Sequence, residues 1–261
     1  MIKDIKEIYA YREMIATLVR KDLRGRYKGS VLGFLWTFIN PLFQLLIYTM
    51  VFSVIMKSGE DQYYLFLFVC LIPWMFFATS LQDGSISIIR EQDMVKKIYF
   101  PRAVLPIATV TSAFVNMLLT FIVVIAVTLI SGRGINPKAL ACLPIVMIVE
   151  YVLCLGVAFI ASALTVYLRD LQYIFGIFVM GLQYASPVMY RVDNGLVPDS
   201  LMWIFKLNPM TSILNSYRDC LYDKVIPDFG ELGYGFIFGV VLTIVGFILF
   251  EHLQKGFAEN F

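Results

Sequence analysis

The sequence predicts an all-α polytopic membrane protein with six transmembrane helices. It adds an N-terminal amphipathic interface helix, a short cytoplasmic helix between two spans, and short re-entrant helices on the outer side. Three observations carry this expectation. Hydrophobic residues make up 59% of the 261 and charged residues only 15%, against about a quarter in soluble domains; the mean hydropathy is +0.78. Six apolar stretches, residues 31–56, 63–81, 104–130, 140–168, 173–190 and 232–250, match or approach the roughly 20 residues that a helix needs to cross a ~30 Å hydrocarbon core. Of the 21 Lys and Arg, 14 fall on the side of the N-terminus in this threading and 7 on the other, so the positive-inside bias puts both termini in the cytoplasm. The expected setting is the cytoplasmic (inner) membrane, crossed several times by one transmembrane domain, residues 1–261.

Residues 1–30 are more than a tail. Ile5, Ile8, Tyr11, Ile15, Leu18, Val19 and Leu23 recur every three to four residues among charged neighbours, the pattern of a helix lying in the interface plane. Charge alternates with apolar groups from Met1 onward, unlike a cleavable signal peptide. Arg20, Lys21, Arg24, Arg26 and Lys28 then abut the first span, and Gly25, Gly29 and Gly33 give the chain freedom to turn into it. In the second cytoplasmic segment, residues 87–99 form a helical stretch ended by Pro101, with Pro106 in the first turn of the third span. After the fifth span, Pro187 breaks the helix, Gly195 and Pro198 punctuate the loop, and residues 201–223 read as two short amphipathic helices. These meet at Asn208 and Pro209, an N-cap followed by a proline suited to the first helical position. Short broken helices at membrane depth are tolerated where they pack inside protein or line a cavity, so this outer segment, residues 191–231, is expected to dip back toward the membrane. The sixth span and the tail complete the chain.

Missing chemistry narrows the function. His252 is the only histidine, which excludes Ser-His-Asp, Cys-His and HExxH catalysis, and no GxxxxGK[ST] motif is present to cradle ATP. Any energy-driven work therefore needs an ATPase on another chain. The four cysteines show no CxxC or metal-like spacing, and no metal site is expected. A net charge of +2 with basic residues gathered at span ends does not point to nucleic acid. Gln44, Asn116, Glu150 and Gln183 are polar groups within spans. Such groups are costly in hydrocarbon and usually face an interior or a pore, although Glu150, nearer a span end, could also sit at the interface or bond a neighbouring helix. Trp36, Tyr48, Trp74, Tyr184, Tyr190 and Trp203 lie near span ends or in the outer segment, where they can act as belt residues or line a path for cargo with apolar ring faces and polar edges, such as a sugar.

Four blocks, in order along the chain, carry a resemblance: RYKGSVLGFLWTFINPL (26–42), MVKKIYFPRAVLP (94–106), RDLQYIFGIFVMGLQYASPVMY (169–190) and NPMTSILNSYRD (208–219). With the length and the six-span layout, the chain resembles the membrane subunits of ABC-2 type exporters for polysaccharides, the O-antigen and teichoic acid export permeases. The resemblance implies a transport subunit, not an enzyme, assembled as a homodimer with two copies of a separate ATPase that binds ATP and Mg. This chain would carry no cofactor. Residues 87–99 would be the coupling helix seated on the ATPase, through Arg90, Glu91, Asp93, Met94, Val95, Lys96 and Lys97. The first and fifth spans would line the channel, offering Trp36, Gln44, Tyr48, Gln183, Tyr184 and Tyr190 to the cargo. If the glycan rides on a polyprenyl diphosphate, Arg24, Arg26 and Lys28 are the cations placed to attract it at the cytoplasmic entrance. Two alternatives stay open: the same architecture carrying another lipid or a drug, and a membrane-embedded enzyme acting on polyprenyl substrates.

Overall fold

The computed structural model describes residues 2–25, 29, 31–55, 60–192, 198, 200 and 202–259. Among them the regular structure is helical throughout. Two short helices, α1 (Ile2–Ala10) and α2 (Arg12–Gly25), replace the single interface helix expected at the start, with a turn at Tyr11 between them. Their apolar stripe, Ile8, Tyr11, Met14, Ile15 and Leu18, packs on a buried cluster that includes Ile88, Val95, Phe100, Phe159, Phe250 and Phe257. Gly29 and Gly33 take φ of +83° and +48°, a left-handed backbone that side-chain-bearing residues rarely adopt, so the turn into the first span is built where the glycines allowed it.

Helix α3 (Trp36–Thr49) continues as a π-helical turn, Met50–Ile55. Then come α4 (Tyr63–Ser85), the short pair α5 (Ser87–Arg90) and α6 (Gln92–Lys97), and the long helices α7 (Val104–Ile130) and α8 (Pro137–Tyr167). Helix α9 (Leu171–Tyr184) leads through an irregular stretch to α10 (Met202–Leu207) and α11 (Pro209–Arg218). A π-helical turn, Asp219–Asp223, extends α11, and α12 (Phe229–Leu253) ends in a 3-10 turn, Gln254–Glu259. Three helix starts are capped by side chains: Asn136, Asn208 and Asp228 each accept a hydrogen bond from a backbone N–H two residues on, at 3.1, 3.0 and 2.7 Å, and Pro137 and Pro209 occupy the first helical position.

Four helices, α4, α7, α8 and α12, are long and apolar enough to cross a membrane, and two shorter apolar helices cover α3 and α9. The chain is thus a multi-pass membrane protein. The fifth predicted stretch, 173–190, does not run as one helix. It ends at Tyr184, where Ala185 leaves helical geometry two residues before Pro187, and 14 residues at about 1.5 Å each cover only some 21 Å. Apolarity continues to Tyr190, and it was this that extended the predicted span; the proline and the partners waiting for residues 185–192 set the real end.

Helix α4 is the hub. It packs on α3, α7, α8, α9 and α11, and every residue from Leu65 to Leu71 is 0% exposed, as expected for a helix that is apolar on all sides. The most extensive helix pair is α8 with α12, and small residues bring it together. A Cβ on Gly156 would lie 2.6 Å from the Thr243 backbone nitrogen, one on Gly246 2.7 Å from the Gly156 carbonyl, and one on Gly239 3.1 Å from the Leu153 nitrogen. The Thr243 hydroxyl donates across the gap to the Val152 carbonyl at 2.7 Å. In lipid, where burial of apolar surface drives little association, close backbone approach and interhelical hydrogen bonds hold helices together.

Candidate functional site

One end of the bundle gathers α1, α2, α5, α6, the end of α8 and the 3-10 turn that follows α12. There the predicted coupling stretch is split. Glu91 leaves helical geometry at φ −108°, ψ 26°, dividing α5 from α6, and Ile98 is already extended, so helix stops three residues before Phe100 and Pro101. The residue before a proline is biased toward extended backbone, and here that bias reaches back over the preceding two residues. Val95 is buried and Met94 packs beside it in the cluster that also receives α1 and α2, so α6 is anchored by its apolar side. Asp93, Lys96 and Lys97 are exposed.

Salt bridges tie this element to its neighbours. Lys21 of α2 donates to both carboxylate oxygens of Glu91, at 2.7 and 2.9 Å. Arg90 lies 3.8 Å from Asp22 of α2 and 3.4 Å from Asp83 of α4, and Asp22 also accepts from the Ser112 hydroxyl of α7. Each exposed pair contributes little alone, about 0–1 kcal/mol. Jointly they link α2, α4, α5 and α7 around a cavity of about 310 Å³ lined by Lys21, Asp22, Arg90 and Glu91. A second cavity, about 560 Å³, opens between α1, α6, the 98–102 segment and the C-terminal turn, with Lys96, Lys97, Arg102 and Lys255 on its walls. Arg90 and Glu91, at the end of α5, are thereby tied through charge-assisted contacts to α2 and α4, and through Asp22 to α7. Arg24 is exposed at the end of α2, while Arg26 and Lys28 lie outside the described residues.

The residues proposed to meet cargo divide into two groups. Gln44 is on the exposed face of α3 with Phe43, Leu46 and Ile47, and Tyr48 is half-buried against the core. Trp36, half-buried, begins α3. On α9 only Val179 is buried, and Tyr173, Ile174, Ile177, Phe178, Met180 and Tyr184 are exposed. Gln183 is half-buried beside Tyr184, whose carbonyl accepts from the Tyr190 hydroxyl at 2.6 Å. Helices α3 and α9 each pack on α4 and leave an apolar face uncovered by any described part of the same chain.

At the far end, sequence reasoning missed a network, because its members come from four separated segments. Arg191 donates to Glu60 at 3.2 Å and to Asp223 at 2.7 Å. Arg133 pairs with Asp61 at 3.0 Å and lies 4.0 Å over the Tyr222 ring. The Tyr222 hydroxyl donates to the Asp61 carbonyl, and Asn136 donates to the Lys224 carbonyl at 2.9 Å. These contacts lock the end of α11 to the loops before α4 and between α7 and α8. Helix α11 itself is sunk into the bundle: Met210, Ile213, Leu214 and Tyr217 are at most 1% exposed. The Tyr217 ring stacks on Phe121 at 5.4 Å, and its hydroxyl donates to Glu150 Oε2 at 2.7 Å. Glu150 is completely buried, bonded to a neighbouring helix rather than interfacial, and its other oxygen has no partner among the described residues. Arg218, 2% exposed, caps the Pro187 carbonyl and stands 4.2 Å over Phe66.

Burial, with the nearby Asp223 carboxylate, raises the Asp219 carboxyl from an ordinary 3.8 to about 6. The folded chain holds this proton more tightly than the unfolded chain does, so the associated stability is full below pH about 4 and is lost as pH climbs through about 6. Thermal melting between pH 4 and 7 should show that decline, and Asp219→Asn should flatten it; a variant with the same slope would assign the effect to another group.

The sequence that builds this multi-pass bundle has relatives among known proteins. A family model described as ABC-2 type transporter matches residues 13–222. The chain is 32% identical over 260 residues to the O-antigen export system permease protein RfbA of Myxococcus xanthus, covering 100% of both chains. It is 33% identical over 247 residues to a protein of the same name from Klebsiella pneumoniae, covering 95% of this chain and 94% of that one. With a family model covering most of its length and relatives aligned nearly end to end, this chain belongs to the ABC-2 type transporter family, as a membrane-spanning transport subunit that works with a separate ATPase.

Proposed function

We propose that the chain is the six-crossing permease of an ATP-driven exporter that moves polysaccharide linked to polyprenyl diphosphate from the cytoplasm to the outer face of the membrane. The end-to-end similarity to relatives named as O-antigen export permeases carries this reading. In it both termini are cytoplasmic, in keeping with the 14 to 7 division of Lys and Arg. Two copies of the chain assemble with two ATPase subunits, which bind ATP and Mg. The uncovered faces of α3 and α9 support the pairing of copies, with a channel between them that offers Trp36, Gln44, Tyr48, Gln183, Tyr184 and Tyr190 to the glycan.

Physics makes such a channel necessary for this cargo. Moving one unpartnered hydroxyl into hydrocarbon costs about 4–8 kcal/mol, so a polymer of sugars does not cross lipid unaided. On the cytoplasmic side, α5 and α6 would receive the ATPase stroke, with Arg90 and Glu91 passing it through Asp22, Asp83 and Lys21, and Asp93, Met94, Val95, Lys96 and Lys97 forming the seat. Arg24, Arg26 and Lys28 would draw in the diphosphate.

Co-expression with candidate ATPases, purification through this chain, and ATP hydrolysis measured with and without polyprenyl-linked glycan tests the proposal. Stable co-purification with glycan-stimulated hydrolysis is expected; stimulation by a drug or another lipid alone would assign a different cargo. Reversing charge on the exposed seat, Asp93→Lys or Lys96→Glu with Lys97→Glu, should lower stimulated hydrolysis several-fold while the amount of chain in the membrane stays constant, because surface charges steer association more than they stabilise folds. Unchanged export would remove α6 from the coupling role.

A further inference from the structure

The hairpin of α10 and α11 and the first turns of α12 enclose a cavity of about 370 Å³ that the transport reading does not use. Lys206 and Glu231 both line it, yet neither forms an ion pair or a hydrogen bond with any described residue. Two opposite charges thus share one cavity without neutralising each other. Thr211 and Asn215 are on the same wall: among the described residues the Thr211 hydroxyl, sealed from solvent, has no partner, and the Asn215 side chain bonds only through its oxygen, accepting from Arg218. Phe205 and Tyr234 supply apolar surface, and the Tyr234 hydroxyl fixes α12 to α10 by donating to the Leu207 carbonyl at 2.8 Å.

The depth of the cavity indicates its occupant. It lies in the first two turns of a helix long enough to cross the membrane, at the level where hydrocarbon gives way to headgroups. Trp203 and Leu207 are exposed beside it, and below it Phe236, Ile237 and Val241 continue an exposed apolar flank along α12, as a belt and a lipid-facing surface do. We propose that this cavity binds the headgroup of a zwitterionic phospholipid with a primary ammonium, phosphoethanolamine. The phosphate is matched to Lys206 and the Asn215 amide, the ammonium to Glu231, and the acyl chains to the flank of α12. A neutral saccharide would leave both charges unmatched. An anionic headgroup would satisfy Lys206 and be repelled by Glu231, and a choline headgroup has no N–H to donate. The inference needs only that the chain spans a membrane, and is independent of the cargo.

The test is native mass spectrometry of the full chain, purified in mild detergent and titrated with phosphatidylethanolamine, phosphatidylcholine or phosphatidylglycerol of identical acyl chains. Loss of one charge-assisted hydrogen bond corresponds to about tenfold in affinity or more, so phosphatidylethanolamine adducts should exceed the others by about that factor. Lys206→Gln and Glu231→Gln should each remove the preference, and Lys206→Arg should keep it. Both side chains are exposed, so the variants should elute and melt like the parent, and a variant that does not is replaced by Asn215→Ala, for which the same loss is expected. Preference for phosphatidylglycerol in the parent, or an undiminished preference for phosphatidylethanolamine in the Gln variants, would overturn the proposal. Equal competition by soluble glycerophosphoethanolamine would make the ligand a soluble phosphodiester rather than a lipid, and competition by a neutral oligosaccharide would make the cavity a carbohydrate site; either result overturns it too.

Discussion

Gly156→Val is expected to be the most damaging single substitution in the protein. Its new side chain begins 2.6 Å from the Thr243 nitrogen and 2.8 Å from the Leu242 carbonyl carbon, both backbone atoms that cannot swing aside. Helices α8 and α12 must separate, which also breaks the Thr243 to Val152 hydrogen bond. Overpacking typically costs about 1–3 kcal/mol, and because this interface depends on close approach rather than on burial, the upper part of that range or more is expected. The measurement is the thermal midpoint of detergent-purified protein, with the amount recovered from membranes alongside. Gly181→Ala is the control, since a methyl group there meets nothing within 4 Å, and it should behave as the parent. A Gly156→Val chain that melts with the parent would show that α8 and α12 can part without consequence.

Tyr217→Phe is expected to loosen α11 by removing one oxygen atom. The ring keeps its stack on Phe121, but Glu150 then has no hydrogen-bond partner on either oxygen, and a buried polar group left unsatisfied costs about 1–3 kcal/mol. Glu150→Met alone should cost a similar amount by orphaning the Tyr217 hydroxyl. The double variant should recover most of the loss, because replacing both partners by apolar groups of similar shape is nearly neutral. This non-additivity, read from four melting curves, the parent and the three variants, separates a specific pair from general packing damage. Additive losses would mean that the two residues act independently and that α11 is held by Arg218 and the far-end salt bridges instead.

Much of the architecture was legible in composition and punctuation. The spans at 63–81, 104–130, 140–168 and 232–250 are the cores of α4, α7, α8 and α12, since a run of apolar residues with helical length has few other stable forms in lipid. Asn208 with Pro209 predicted the start of α11, and the periodic apolar residues of 8–18 predicted an amphipathic stripe, which the fold packs on the cluster of Phe250 and Phe257. Three features were not legible. The end of α9 at Tyr184 depends on where residues 185–192 find partners, such as the Asn208 amide that donates to the Ala185 carbonyl and the Ser186 hydroxyl. The division of the 87–99 stretch at Glu91 goes with a side chain recruited by Lys21, 70 residues earlier. The far-end network joins Glu60, Arg133, Arg191 and Asp223, charges that read singly as ordinary loop residues.

The sequence by itself determined the class of this protein. Its apolar runs compel helices in lipid, its 14 to 7 division of Lys and Arg underlies the proposed orientation, and its four ordered blocks carry the family resemblance. These are local properties, set by the solvation of side chains and backbone one segment at a time. Only the tertiary structure decided that Glu150 is an interior anchor for α11 rather than an interfacial carboxylate, that three glycines bring α8 and α12 into backbone contact, and that Lys206 and Glu231 share a cavity without meeting. Those outcomes depend on distances between segments far apart in the chain, and a residue's cost or benefit inside a membrane protein depends on which partner the fold brings within 3 Å of it.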